Sequence, residues 1–223
     1  SSPDELEILG ITAVGGNVPL ALTERNARMM CDVAGCEDIP VFAGCASPMI
    51  REPITAEYIH GATGIDGIDV FEPKTPLQDQ HAVDFIIDTL RREPAGTVTL
   101  CPLGPLTNIA TAFARAPDIV ARVQEIVLMG GAYFEVGNIT PAAEFNIYVD
   151  PDAAEIVFKS GVPLVVMPLD VTHRRSLVRC NSLELDEVVL HPGEEDQRGY
   201  ASEVTLNRCW FSAPTPPVQT FTT

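Results

Sequence analysis

The residues of this 223-residue chain best suited to chemistry are few and alike in character. Asn138, Glu144 and Asn146 fall in one stretch, 132–149, directly after the pair Gly130-Gly131. Asn17 follows a second pair, Gly15-Gly16, and His60 opens a glycine-rich run, His60-Gly61-Ala62-Thr63-Gly64-Ile65-Asp66-Gly67. Asp170 stands at the end of the most apolar run, 162–169. These side chains offer amide donors and acceptors, an imidazole and isolated carboxylates. That inventory suits sugar hydroxyls, which take paired hydrogen bonds from amides and carboxylates. Each residue alone has a plainer reading. Asn17 after two glycines fits a turn, Glu144 a solvated loop carboxylate, and Asp170 a cap. Their placement together, at or just beyond the ends of apolar runs, favours a site.

Other chemistries lack their signatures. There is no G-x-x-x-x-G-K-[ST] phosphate loop, no G-x-G-x-x-G after a strand and no G-x-S-x-G elbow. His60, His81, His173 and His191 show no zinc-ligand spacing. The six cysteines form no CxxC pair and read as scattered reduced thiols, which implies a cytoplasmic setting. The net charge of −17 argues against nucleic acid or an anionic membrane surface as partner. It suits a small neutral or cationic ligand, or a site with a metal ion. No apolar run reaches the ~18 residues of a membrane helix.

The elements that must position these residues follow from periodicity. Apolar or β-branched runs at 6–14, 41–43, 97–101, 126–129 and 162–169 read as strands, the last as a central one. Helices are expected at 19–33, with Leu22, Ala27, Met30 and Val33 inward, and at 80–92, with Val83, Ile86, Ile87 and Leu90 inward. Further helices are expected at 106–115, at 152–159 after an Asp150 cap and Pro151, and at 181–190. The long stretch 45–78 between them has the character of a binding loop. Strands alternating with helices imply an α/β fold: one open, mostly parallel sheet with helices on both faces. One domain over 1–210 is expected, with 211–223 as an irregular tail. In such sheets a ligand lies beyond the carboxyl ends of the strands.

Several segments together resemble the nucleoside hydrolases of the inosine–uridine-preferring type. They are Gly10-Ile11-Thr12-Ala13-Val14-Gly15-Gly16-Asn17, the His60–Gly67 run, and Leu103-Gly104-Pro105-Leu106-Thr107-Asn108-Ile109-Ala110. Leu128-Met129-Gly130-Gly131, Gly137-Asn138, Ala143-Glu144-Phe145-Asn146, Asp150-Pro151 and Pro168-Leu169-Asp170-Val171-Thr172 follow in order. The resemblance covers residues 2–178. It implies hydrolysis of the N-glycosidic bond of a ribonucleoside. Asn17, Asn138, Glu144 and Asn146 would hold the ribose and its 5′ side, and His60 would line the pocket. It also implies Ca²⁺, with the main-chain carbonyl of Leu103 as one ligand. It leaves purine against pyrimidine preference open, and with it the question of a homo-oligomer.

The chain departs from the family pattern at both ends. The resemblance implies an Asp-rich strand before residue 6, pairing beside it, and a His-Asp pair near the C-terminus. The chain begins with Ser1, and His191 is followed by Pro192. The sequence therefore reads as a fragment that keeps the ribose contacts and lacks the general base, the acid and most metal carboxylates. On that reading it is inactive and poorly stable alone, or a nucleoside-binding homologue without activity.

Overall fold

A computed structural model describes residues 6–173 and the backbone of three further strands. The chain forms two compact units, one of residues 9–168 and one of residues 1–8 with 169–223.

The larger unit alternates strands and helices. Its first part comprises β1 (Ile11–Ala13), α1 (Leu20–Ala34), β2 (Val41–Ala43), α2 (Glu57–His60) and β3 (Leu77–Gln78). Its second part comprises α3 (Ala82–Arg92), β4 (Val98–Leu100), α4 (Thr107–Arg115), a 3-10 helix (Pro117–Arg122), β5 (Val123–Met129), α5 (Phe145–Val149), α6 (Pro151–Phe158) and β6 (Leu164–Met167). Two parallel sheets result, in the orders β1-β2-β3 and β4-β5-β6. Parallel neighbours need long crossovers, and helices supply most of them. All strands of a parallel sheet point one way, so the ends of β1, β4 and β5 deliver Asn17, Leu103 and Gly130 to loops at their carboxyl edges.

The core explains why these runs fold so. Ile126 and Leu128 of β5 point to one face and are fully buried. They pack in one cluster with Ile86 and Leu90 of α3, Ile109 and Phe113 of α4, and Val157 of α6. Each such side chain contributes about 1.5–3 kcal/mol by burial. The period of α3 is read correctly from sequence: Val83, Ile86, Ile87 and Leu90 are all buried. Asp150 caps α6 through Ala153 N at 3.0 Å, with Pro151 at the first turn.

Four expectations need correction. The strands expected in one sheet fall in two three-stranded sheets, and among the described residues no strand pairs the β1-β2-β3 sheet to the β4-β5-β6 sheet. The run 162–169 supplies β6, which ends the order β4-β5-β6; β5 is the central strand of that sheet. Helix α1 buries Asn26, Met29 and Cys31, while Met30 and Val33 are exposed. Apolar periodicity misjudged that face because a polar residue, Asn26, is buried on it with hydrogen bonds of its own. The helix expected at 181–190 contains a strand instead, where Val188-Val189 favours extended backbone.

In the smaller unit, α7 (Leu169–Thr172) carries Asp170 in its first turn. β7 (Ser176–Val178), β8 (Glu187–Leu190) and β9 (Val204–Asn207) pair antiparallel in the order β7-β8-β9. His191 and the tail 211–223 lie outside the described residues.

Candidate functional site

Glu144 is neither solvated nor idle. It is 2% exposed and caps α5, accepting from Asn146 N at 2.9 Å and Ile147 N at 3.2 Å. A third backbone donor, Gly131 N, reaches its Oε2 at 3.0 Å. Gly131 has φ of 82°, the left-handed region where glycine costs least, and this turns the chain from β5 toward Glu144. A buried carboxylate needs such partners, because an unsatisfied one is costly.

The neighbouring amides are tied in the same way. Asn146 is buried, and its Nδ2 donates to the carbonyls of Leu103 at 3.3 Å and Met129 at 3.2 Å. It thereby bridges the loops that follow β4 and β5. Asn138 is exposed, and its Oδ1 accepts from Phe145 N at 2.8 Å. The turn that presents it is tight: a Cβ on Gly137 would lie 2.2 Å from Thr140 O and 2.3 Å from Ala143 N.

Asn17 and His60 reach the same region through Ala56. Ala56 N donates to Asn17 O at 2.7 Å, and His60 N donates to Ala56 O at 3.0 Å. Ala56 is buried against Phe145 and Val149 of α5. Positions 17 and 60 are thus linked through the Ala56 backbone, positions 138, 144 and 146 and the Leu103 carbonyl meet around α5, and the packing of Ala56 with Phe145 and Val149 connects the two groups. The Asn17 amide and the His60 imidazole make no hydrogen bond among the described residues. A cavity of about 220 Å³ is lined by Gly15, Gly16, Val18, Pro48, Ile54 and Val149, and by none of the five candidate residues. Asp170 belongs to the other unit.

Two side chains that brace this region were not singled out as such from sequence. Asp150, expected as a helix cap, is fully buried and also accepts from Thr107 Oγ1 at 2.6 Å and Met49 N at 3.0 Å. It holds the 45–55 loop to the starts of α4 and α6. Asn108 donates to Ala13 O at 2.9 Å and accepts from Cys45 N at 2.8 Å, tying the ends of β1 and β2 to α4. The one signal was a polar Thr107-Asn108 pair opening a mostly apolar helix.

The described residues do not fit Ca²⁺. The Leu103 carbonyl supplies one oxygen, already turned toward Asn146, whereas Ca²⁺ takes 6–8. Among the described residues no group of three His, Cys, Asp or Glu side chains could hold a metal ion. The four described cysteines are free, and burial raises the thiols of Cys31, Cys45 and Cys101 above their ordinary values. Among the described residues no helix is long and apolar enough to cross a membrane.

Comparison with known proteins adds the family. Residues 1–212 match the family described as inosine-uridine preferring nucleoside hydrolase. An uncharacterized protein of Schizosaccharomyces pombe is 57% identical over 170 residues, which is 76% of this chain and 55% of that protein. A pyrimidine-specific ribonucleoside hydrolase of Escherichia coli is 51% identical over 170 residues, 76% of this chain and 53% of its own. Among solved structures, a purine-preferring ribonucleoside hydrolase from Gardnerella vaginalis superposes with a TM-score of 0.72 at 37% identity, covering 77% of this chain and 55% of that one. A plant nucleoside hydrolase gives 0.73 at 35%, covering 78% and 55%. The chain spans about half the length of the curated relatives it matches.

Proposed function

The chain belongs to the inosine-uridine preferring nucleoside hydrolases, and on that premise we propose that the region around Asn17, His60, Asn138, Glu144 and Asn146 binds a ribonucleoside by its ribose and serves hydrolysis of the N-glycosidic bond. In that reaction the oxygen of water bonds to C1′ and the C1′–N bond breaks. The bond's electron pair leaves with the base, which gains a proton, and the products are ribose and free base. The transition state carries positive charge on the sugar, as in other glycoside hydrolysis. The Glu144 carboxylate and the oxygens of the asparagine amides are the groups suited to meet that charge.

The observation that carries this reading is the contact of Ala56 with Phe145. It brings the backbone that holds Asn17 and His60 against the helix that Glu144 caps and that carries Asn146. The carboxylate of Glu144 keeps lone pairs beyond those used by its three N–H partners, so a hydroxyl can share it. Among the described residues the side chains of Asn17 and His60 make no hydrogen bond. A single nucleoside suits the charge of −17 better than a polynucleotide, whose phosphates it would repel.

A second reading, nucleoside binding without cleavage, is favoured by the hydrogen bond of the Leu103 carbonyl to Asn146. One experiment separates the two. The full chain is titrated with inosine and uridine, with and without added calcium, and ribose release is followed in parallel. Saturable binding that Asn17→Ala weakens about tenfold supports the site, one or two hydrogen bonds to a hydroxyl being worth about that much. Release of ribose selects hydrolysis; binding with no release selects the second reading. Absence of binding to both nucleosides overturns the proposal.

A further inference from the structure

We propose that Arg25 and Asn26 are positioning residues that latch the glycine-rich turn to helix α1 and so fix the backbone that presents His60. What His60 then touches rests on the nucleoside-binding reading; the latch itself does not.

Asn26 sits on α1 and is buried, although it is polar and mid-helix. Its Nδ2 donates to the carbonyl of Thr63 at 2.8 Å. Its Oδ1 accepts from Arg25 Nη2 at 2.9 Å and Nε at 3.3 Å. The same Nη2 also donates to Thr63 O at 3.2 Å. One carbonyl therefore takes two donors, one of them charged, and hydrogen bonds from a cation are the stronger kind. The guanidinium also sets the amide's orientation, because the flipped amide would turn its N–H groups toward two other donors, Nε and Nη2 of Arg25.

A separate observation places the turn hard against that helix. Gly64 has φ of +78°, and a Cβ there would lie 2.7 Å from Val18 Cγ2 and 3.1 Å from Asn26 Nδ2. The turn has no slack on this side. It closes on His60 itself: Asp66 N donates to His60 O at 3.1 Å, and Gly64 N donates to Gly61 O at 3.1 Å. Fixing Thr63 therefore fixes the backbone on which His60 is mounted. Helix α2 could not do so by itself, since it has four residues, no side-chain cap, and an exposed Tyr58-Ile59 pair.

The test uses the full chain and the variants Asn26→Asp, Arg25→Lys and Gly64→Ala. Asn26→Asp keeps the shape and the acceptor for Arg25 but deletes the donor to Thr63. Hydrogen exchange is measured over 57–68 and, as a control, over α4 and β5. The His60 ring signal is followed by NMR and assigned with His60→Gln. The expected result for Asn26→Asp is exchange about three- to tenfold faster in 57–68, with α4 and β5 unchanged and the His60 signal shifted or broadened. Arg25→Lys keeps a cation and should fall between wild type and Asn26→Asp, while Gly64→Ala should match Asn26→Asp. An unmoved His60 signal with unchanged exchange overturns the latch. So does equal acceleration in α4 and β5, which would mark a general loss of stability. Nucleoside affinity is read in the same samples. If wild type binds no nucleoside, the functional reading falls while exchange and NMR still decide the latch.

Discussion

The candidate site has two walls, and they are built by different means. The wall from Gly130 to Asp150 is held by carboxylates at helix starts. Glu144 takes three backbone N–H groups, and Asp150 takes two backbone N–H groups and a hydroxyl, and both carboxylates are buried. The other wall, from residue 45 to residue 78, has few buried side chains and exposes Ile50, Tyr58, Ile59, Ile68 and Phe71. It hangs on a few tethers spaced along it: Met49 to Asp150, Ala56 to Asn17, Thr63 to Asn26 and Arg25, and Lys74 with Thr75 to Asp32. One wall is preorganised by burial, the other by a small number of long-range hydrogen bonds. Segments with few buried contacts open locally at low cost, so the second wall is the one expected to move when ligand enters.

The largest expected effect comes from the residue that serves both walls. Asp150→Ala leaves the Thr107 hydroxyl and two backbone N–H groups without their acceptor in the interior. It should cost about 3–5 kcal/mol, read as a drop in the urea or thermal midpoint. A loss near zero would mean that the walls do not depend on this joint.

Gly137→Ala comes next, since its Cβ would meet backbone atoms at 2.2–2.3 Å. A cost of about 2–3 kcal/mol is expected by chemical denaturation, because backbone cannot swing aside as a side chain can. An unchanged midpoint would show that the 137–143 turn relaxes freely and that the first wall is softer than described.

Glu144→Gln sharpens the contrast within that wall. The amide keeps one acceptor oxygen but turns an N–H group toward backbone donors, for about 1–2 kcal/mol in stability. Nucleoside affinity should fall by more than the stability change accounts for. Equal losses in both would make Glu144 a cap and nothing else.

The smallest effect is a pH effect on the far tether of the loop wall. The Thr75 hydroxyl, and then the Lys74 and Thr75 N–H groups, hold the Asp32 carboxyl below the ordinary carboxylate range. A depressed value in the folded chain gives a contribution that is present above the unfolded value and lost as pH falls through the folded one. Exchange of the Lys74 and Thr75 amides should therefore accelerate only below the usual carboxylate range. In Asp32→Asn it should be fast, beyond the intrinsic pH dependence, at every pH. A pH-independent protection in wild type would contradict this.

What could be read from sequence follows the same division. β2, the inward face of α3, β5 and the Asp150 cap were legible because apolar period and cap chemistry are local signals. Helix α5 was not, since its five residues are fewer than an isolated helix needs and it lies in a polar, glycine-bearing stretch. The buried face of α1 was hidden by Asn26, whose reason for burial lies 37 residues away at Thr63. The candidate side chains were legible as strand-end polar residues. Their engagements were not: Asn108 meets Ala13 across 95 positions, and no spacing rule encodes such a pair.

The central claim is that both walls face one nucleoside. It is tested most directly by titrating the isotopically labelled full chain with inosine and with uridine and mapping the shifted NMR signals. The account predicts saturable shifts at Asn17 and His60 on the loop wall together with Asn138, Glu144 and Asn146 on the capped wall, all fitting one dissociation constant. Shifts confined to one wall, or no shifts at saturating nucleoside, would contradict it.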